Sequence, residues 1–266
     1  MVNSLENKVR NIAFLSGNAI KLIAVLSMIV DHFSKTLLIV ILNAISLPRL
    51  NGGTMSFDTY NAILEFIQRY LYGFGRVSFP LFCFLISEGF YHTSSRVKYA
   101  VMMVVFAVIS EVPFDLLFFG TPVDWSHQNV YFTLLLGICA LWVVNLSVIK
   151  SDKLPARIAE AGVKAVLLCI IAVVADLLNT DYGSRGVLYI TALYLFRNRR
   201  CVQVVIFLAV YTLLMKTVPS VFILISALIM LLYNGERGTL RINKYVFYIF
   251  YPAHLLLFWL AVELIR

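Results

Sequence analysis

Residues 19–45 read AIKLIAVLSMIVDHFSKTLLIVILNAI. One helix needs about 20 mostly apolar residues to cross a bilayer, and this run exceeds that. Its ionisable side chains are Lys21, Asp31, His32 and Lys35. Similar apolar runs recur at 77–91, 99–119, 130–149, 161–178, 186–196, 202–215, 219–233 and 245–264. The pattern predicts an all-α, polytopic membrane bundle of about nine transmembrane helices. The run at 186–196 is short for a crossing. Residues 57–72, broken by Glu65, Gln68 and Arg69, read as an amphipathic helix at the surface.

Composition agrees. The 266 residues are 61% hydrophobic and 14% charged, with mean hydropathy +0.88. A soluble domain is usually about half apolar and a quarter charged. This chain lacks the charge to coat a water-facing surface, which excludes a soluble enzyme and a disordered regulator. Its length fills roughly eight to ten crossings with short loops, so residues 1–266 form a single domain. The opening MVNSLENKVRNIAFLSGN (1–18) has no small-residue cleavage site, and no cleavable signal peptide is expected. Cys83, Cys139, Cys169 and Cys201 form no C-x-x-C pair and read as small apolar side chains.

The net charge of +8 follows loop asymmetry, and no nucleic-acid partner is expected. With the N-terminus inside, the inner segments hold Lys8, Arg10, Lys21, Arg96, Lys98, Lys150, Lys153, Arg157, Lys164, Arg197, Arg199, Arg200, Arg237, Arg241 and Lys244. The outer ones hold Arg49, Arg69, Arg76, Arg185 and Lys216. That alternation is the positive-inside pattern and gives an N-in, C-out orientation.

Ionisable groups deep in a membrane are costly and mark function. Asp31, His32, Glu88, Glu111 and His254 fall near the midpoints of four runs, with Asp115 and Asp176 nearer the outer side and His92 nearer the inner. They are expected to line one polar cavity. Pro80, Pro113 and Pro252 lie close to Arg76, to Glu111 and Asp115, and to His254. Helix breaks of this kind are tolerated where protein or a wet cavity covers them.

Lys21 and His32 are three turns and about 20° apart, so they share a face, roughly 16 Å apart along the axis. A long substrate with an anionic head at the inner surface and a reactive end inside the bilayer, such as coenzyme A, suits that spacing. At mid-membrane, His32 is placed to act as a general base. Asp31, about 100° away on the helix, does not orient that imidazole and is four residues from Lys35. Glu88 with His92 and Glu111 with Asp115 have the same four-residue spacing. Such acid pairs serve acid/base chemistry, and equally a proton-coupled transporter, which is the alternative reading. No H-E-x-x-H, phosphate-binding Gly-rich loop or G-x-S-x-G elbow occurs, and no metal is expected.

The stretches LSGNAIKLIAVLSMIVDHF (15–33), GRVSFPLFCFLISEGFYHTSSRVKYA (75–100), FAVISEVPFD (106–115), NVYFTLLLG (129–137) and FYIFYPAHLLLFW (247–259) resemble the TraX family. Between them, residues 139–243 resemble it only as a run of hydrophobic helices, marked by Asp176 and Asp181-Tyr182-Gly183. The named member of that family is associated with N-terminal acetylation of conjugative pilin. The family is similar to transmembrane acyltransferases, which carry a basic residue, ten residues, then histidine in the first helix. Lys21 and His32 match with Lys for the more usual Arg, which keeps the charge but weakens bidentate phosphate recognition.

The resemblance implies an acyltransferase of a bacterial cytoplasmic membrane, with acetyl-CoA as donor. Lys21, Arg96 and Lys98 are then expected to bind the donor. His32 is the base, with Asp31, Glu88 or Glu111 beside it. Arg76, His254 and Asp115 position the acceptor, which is a pilin N-terminus, an envelope sugar, a peptide or a small amine.

Overall fold

A computed structural model describes residues 2–147, 153–239 and 243–266. Lys150, Arg241 and the end of the run at 130–149 lie outside the described residues. Among those described, the regular elements are helices joined by loops, with two isolated β-bridges, Leu15–Tyr233 and Gln128–Thr180. The helices are α1 (Val2–Ile12), α2 (Gly17–Lys35), α3 (Leu37–Asn51), α4 (Phe57–Phe66), α5 (Tyr72–Gly75), α6 (Ser78–His92), α7 (Arg96–Phe119), α8 (Val130–Asn145), α9 (Leu154–Leu177), α10 (Gly183–Leu195), α11 (Arg200–Met215), α12 (Val221–Leu231) and α13 (Lys244–Ile265).

Five helical stretches are long and apolar enough to cross a membrane: Gly17–Asn51, Phe57–His92, Arg96–Phe119, Leu154–Leu177 and Tyr245–Ile265. α8, α11 and α12 are apolar but shorter. The 16 residues of α8 reach about 24 Å at 1.5 Å per residue, less than the roughly 30 Å hydrocarbon core. α10, the short run of the sequence, has 13 residues, most of them buried. It packs against α6, α8, α9 and α11, so most of its length is turned to protein.

The first run is not one straight helix. Thr36 leaves helical geometry at φ −119°, ψ −88° and separates α2 from α3. Its hydroxyl donates to the His32 carbonyl at 2.6 Å, as does its own N–H at 3.1 Å. A side chain competing for a helical carbonyl bends a helix at such a place. The segment 57–72 also differs from a separate surface helix. α4 buries none of its residues, but it runs through a π-turn (Ile67–Leu71) and α5 to the start of α6. π-turns inserted in α-helices often sit at functional sites, and this one precedes the closest approach to α2. There Ser27 donates to the Phe74 carbonyl at 2.7 Å. Gly75 faces Asp31 where a Cβ would collide with the carboxylate.

α2 packs on α5 and α6, α13 on α7 and α3, and α7 on α8. The core between them holds Ile20, Ala24, Phe84, Phe90, Ile138, Leu193, Phe207 and Leu255. α2 starts at Ser16, whose hydroxyl accepts from the Ala19 N–H at 3.3 Å. The loop after α12 wraps that start, with the Gly17 N–H bound to the Glu236 carbonyl and that of Asn18 to Arg237.

Candidate active site

Where α2, α6, α7 and α13 meet lies a cavity of about 270 Å³. Its polar lining is Asp31, His32 and Lys35 from α2, Ser78 from α6, His127, and Asp181 with Tyr182. Phe79, Phe82, Phe114, Phe118 and Tyr251 supply the apolar walls. Few precisely placed polar groups in an apolar cleft are the usual composition of a small-ligand site.

Asp31 is 8% exposed, and its carboxylate accepts from Lys35 at 2.6 Å. The pair occupies the i, i+4 spacing and leaves Asp31 turned from the His32 ring. His32 meets His254 instead: Nδ1 of the first and Nε2 of the second are 2.7 Å apart, with the ring planes within 6° of parallel and the centroids 5.0 Å apart. Phe118 and Tyr251 stand edge-on to His32 at 5.6 and 6.1 Å. Lys21 lies near the start of α2, its ammonium 4.6 Å from the Phe247 ring. Phe247 and His254 are two turns apart on α13, so Lys21 and His32 both face the same neighbouring helix.

Glu111 and Asp115 have backbone partners. Glu111 accepts from the Asn129 side-chain amide and, at 3.4 Å, from its N–H. Asp115 accepts from the Asp124 N–H at 2.8 Å. Together they pin residues 120–129, which bring His127 to the cavity. Across from it, the Gln128 N–H donates to Asn179 at 3.0 Å and the Asp181 N–H to Gln128 at 2.9 Å. Asp176 accepts from the Ser184 N–H at 2.7 Å. These bonds hold two loops side by side and place Asp181 and His127 on one rim.

Glu88 lies in another cluster. Its carboxylate is 3.8 Å from Arg200 and 3.8 Å from His92, and Arg200 sits over the Phe84 and Tyr233 rings at 5.0 and 4.8 Å. This knot joins α6 to α11 and the end of α12. Arg96 covers the Phe90 ring at 4.6 Å, Lys98 is exposed in the first turn of α7, and Arg76 is exposed at the end of α5. Of the residues picked from sequence, the cavity therefore gathers Asp31 and His32, with His254 directly behind His32. It adds Lys35, Ser78, His127, Asp181 and Tyr251. His127 gave no sequence signal, whereas Asp181-Tyr182 is a polar break between apolar runs. Among the described residues no three of His, Cys, Asp and Glu converge as a metal-binding group.

The family model described as TraX protein matches residues 16–262. The chain belongs to the TraX family. A relative from Dichelobacter nodosus, named "Probable fimbrial assembly protein FimC, serogroup H1", is 25% identical over 270 residues, covering 93% of this chain and 96% of that protein. No solved structure matches. The TraX match spans both α2, with Lys21 and His32, and α13, with His254.

Proposed function

We propose that this TraX protein is an integral membrane acyltransferase that moves an acetyl group from cytoplasmic acetyl-CoA to an amine or hydroxyl. In this reading the chain crosses a bacterial cytoplasmic membrane nine times, N-in and C-out, with the short helices completed by neighbouring loops. The observation that carries it is His32 on the wall of a mostly apolar cleft that holds a few polar side chains, with Lys21 toward the inner end of the same helix and facing the same partner helix. Lys21, with Arg96 and Lys98 at the inner surface, receives the donor's phosphates. The thioester reaches the cavity, where His32 takes the proton of the attacking acceptor.

Asp31 and Lys35 form a neutral pair beside His32, and the pair hydrogen-bonds the acceptor. Arg76, exposed and acting on Asp31 electrostatically, guides the acceptor in. Glu111 and Asp115 support the site by holding the loop that brings His127 to it. The fimbrial assembly named for the relative, together with the pilin acetylation implied by the family, favours the N-terminus of a pilus subunit over a sugar, peptide or small amine.

Purified protein in nanodiscs with radiolabelled acetyl-CoA and an acceptor peptide that carries a free N-terminal amine should release free CoA and label the peptide, and His32→Ala should abolish both while folding and insertion persist. Full turnover by a well-folded His32→Ala protein overturns this reading.

A further inference from the structure

His254 Nδ1 is 2.9 Å from the Phe250 carbonyl oxygen. A carbonyl oxygen only accepts, so this nitrogen carries a hydrogen. A neutral imidazole has one N–H, which leaves the lone pair on His254 Nε2. The hydrogen in the 2.7 Å contact with His32 then sits on His32 Nδ1. His32 Nε2, which has no hydrogen-bond partner among the described residues, keeps its lone pair.

The neutral state follows from the surroundings. His254 is 5% exposed and packed by the Phe250, Tyr251 and Phe258 rings. Neither imidazole forms an ion pair among the described residues, and an uncompensated charge there is costly. The charged and titratable groups around His32 are Asp31 and Lys35 on its own helix, His254 and Tyr251 on α13, and His127, Asp181 and Tyr182 from the loops. The adjacent carboxylate, Asp31, is taken by Lys35.

We propose that His254 is a positioning residue. Through the chain from the Phe250 carbonyl to His254 to His32, it locks His32 in the Nδ1–H tautomer and presents Nε2 to the cavity as the base. A partner on the second ring nitrogen fixes tautomer and orientation. In triads a carboxylate does this, and here a second imidazole takes its place. The catalytic consequence rests on the acyl-transfer reading, but the tautomer does not. During transfer the acceptor heteroatom bonds to the thioester carbonyl carbon and its proton passes to His32 Nε2. The Nδ1–H bond to His254 steadies the imidazolium. The C–S bond then breaks, the thiolate takes the proton back as thiol, and the pair ends neutral.

The test uses ring-¹⁵N histidine in nanodiscs. The chain has 4 histidines, and subtracting the His32→Gln spectrum isolates His32. The expected wild-type signature is a protonated Nδ1 with a bare Nε2. His254→Leu should release His32 to the Nε2–H form, while His254→Gln should keep the Nδ1–H form. A glutamine amide can accept from His32 and donate to the Phe250 carbonyl. With radiolabelled acetyl-CoA, His254→Leu should lower kcat for CoA release about 10²-fold with KM unchanged, within the range of general-base contributions. His254→Gln should restore most of it.

An Nε2–H signature for His32 in the wild type overturns the proposal. So does equal loss of kcat in the two His254 variants. Because the wild-type spectrum decides the tautomer, a misfolded leucine variant does not shield the idea. The predicted tautomer without CoA release overturns acyl transfer and supports the positioning role.

Discussion

Asn129→Ala removes a fully buried side chain with three tasks. Its amide donates to the Ala107 carbonyl at 2.8 Å and to Glu111, and its carbonyl oxygen accepts from the Tyr131 N–H at 3.0 Å, capping α8. Losing the cap costs about 1 kcal/mol. The larger cost falls on Glu111, whose Oε1 already has no partner. The variant leaves its carboxylate only the Asn129 N–H at 3.4 Å. Leaving a buried polar group without its hydrogen-bond partner costs roughly 1–3 kcal/mol.

The expected destabilisation is therefore about 3 kcal/mol, or about two powers of ten in the folding equilibrium. SDS-induced unfolding in mixed micelles, followed by circular dichroism, measures it. Since most of the loss is a stranded carboxylate, Asn129→Ala combined with Glu111→Leu should cost at least 1 kcal/mol less than the separate effects together. A single-variant loss below about 1 kcal/mol, or strict additivity of the pair, refutes the idea that Glu111 anchors this loop.

Lys21→Gln should raise KM for acetyl-CoA about tenfold, equivalent to about 1.4 kcal/mol, with kcat little changed. Lys21→Arg should restore it, and steady-state CoA release with an unchanged KM in Lys21→Gln counts against donor binding there. The N-in orientation is checked in a cysteine-free background. Thr121→Cys should react with an impermeant maleimide in intact cells and Asn198→Cys only after permeabilisation, and the reverse pattern inverts the topology.

Hydropathy alone was enough to read a helical membrane protein, because each apolar run reports its own helix without reference to any other. The shared face of Lys21 and His32 was legible for the same reason: helical rotation is a local property. The breaks were less so. Thr36 bends the first run through one hydroxyl bond that spacing does not reveal. α10 is a short helix packed among α6, α8, α9 and α11, partners that the length of its run does not reveal. Residues 57–72 looked separate because Glu65, Gln68 and Arg69 interrupt them, although the backbone continues through the π-turn toward α6.

Sequence depth also placed Asp31, His32, Glu88, Glu111 and His254 at one level, but depth does not say which faces meet. Packing of α13 against α2 and α7 set His254 on His32. Packing of α11 against α10 and α12 brought Arg200 to Glu88. Two loops, joined by backbone hydrogen bonds between residues far apart in the chain, brought His127 and Asp181 to the cavity. The sequence by itself determined the helices and the face each polar group occupies, which depend on nearest neighbours. Only the tertiary structure decided which polar groups share a cavity, because that depends on how whole helices rotate and stack against one another.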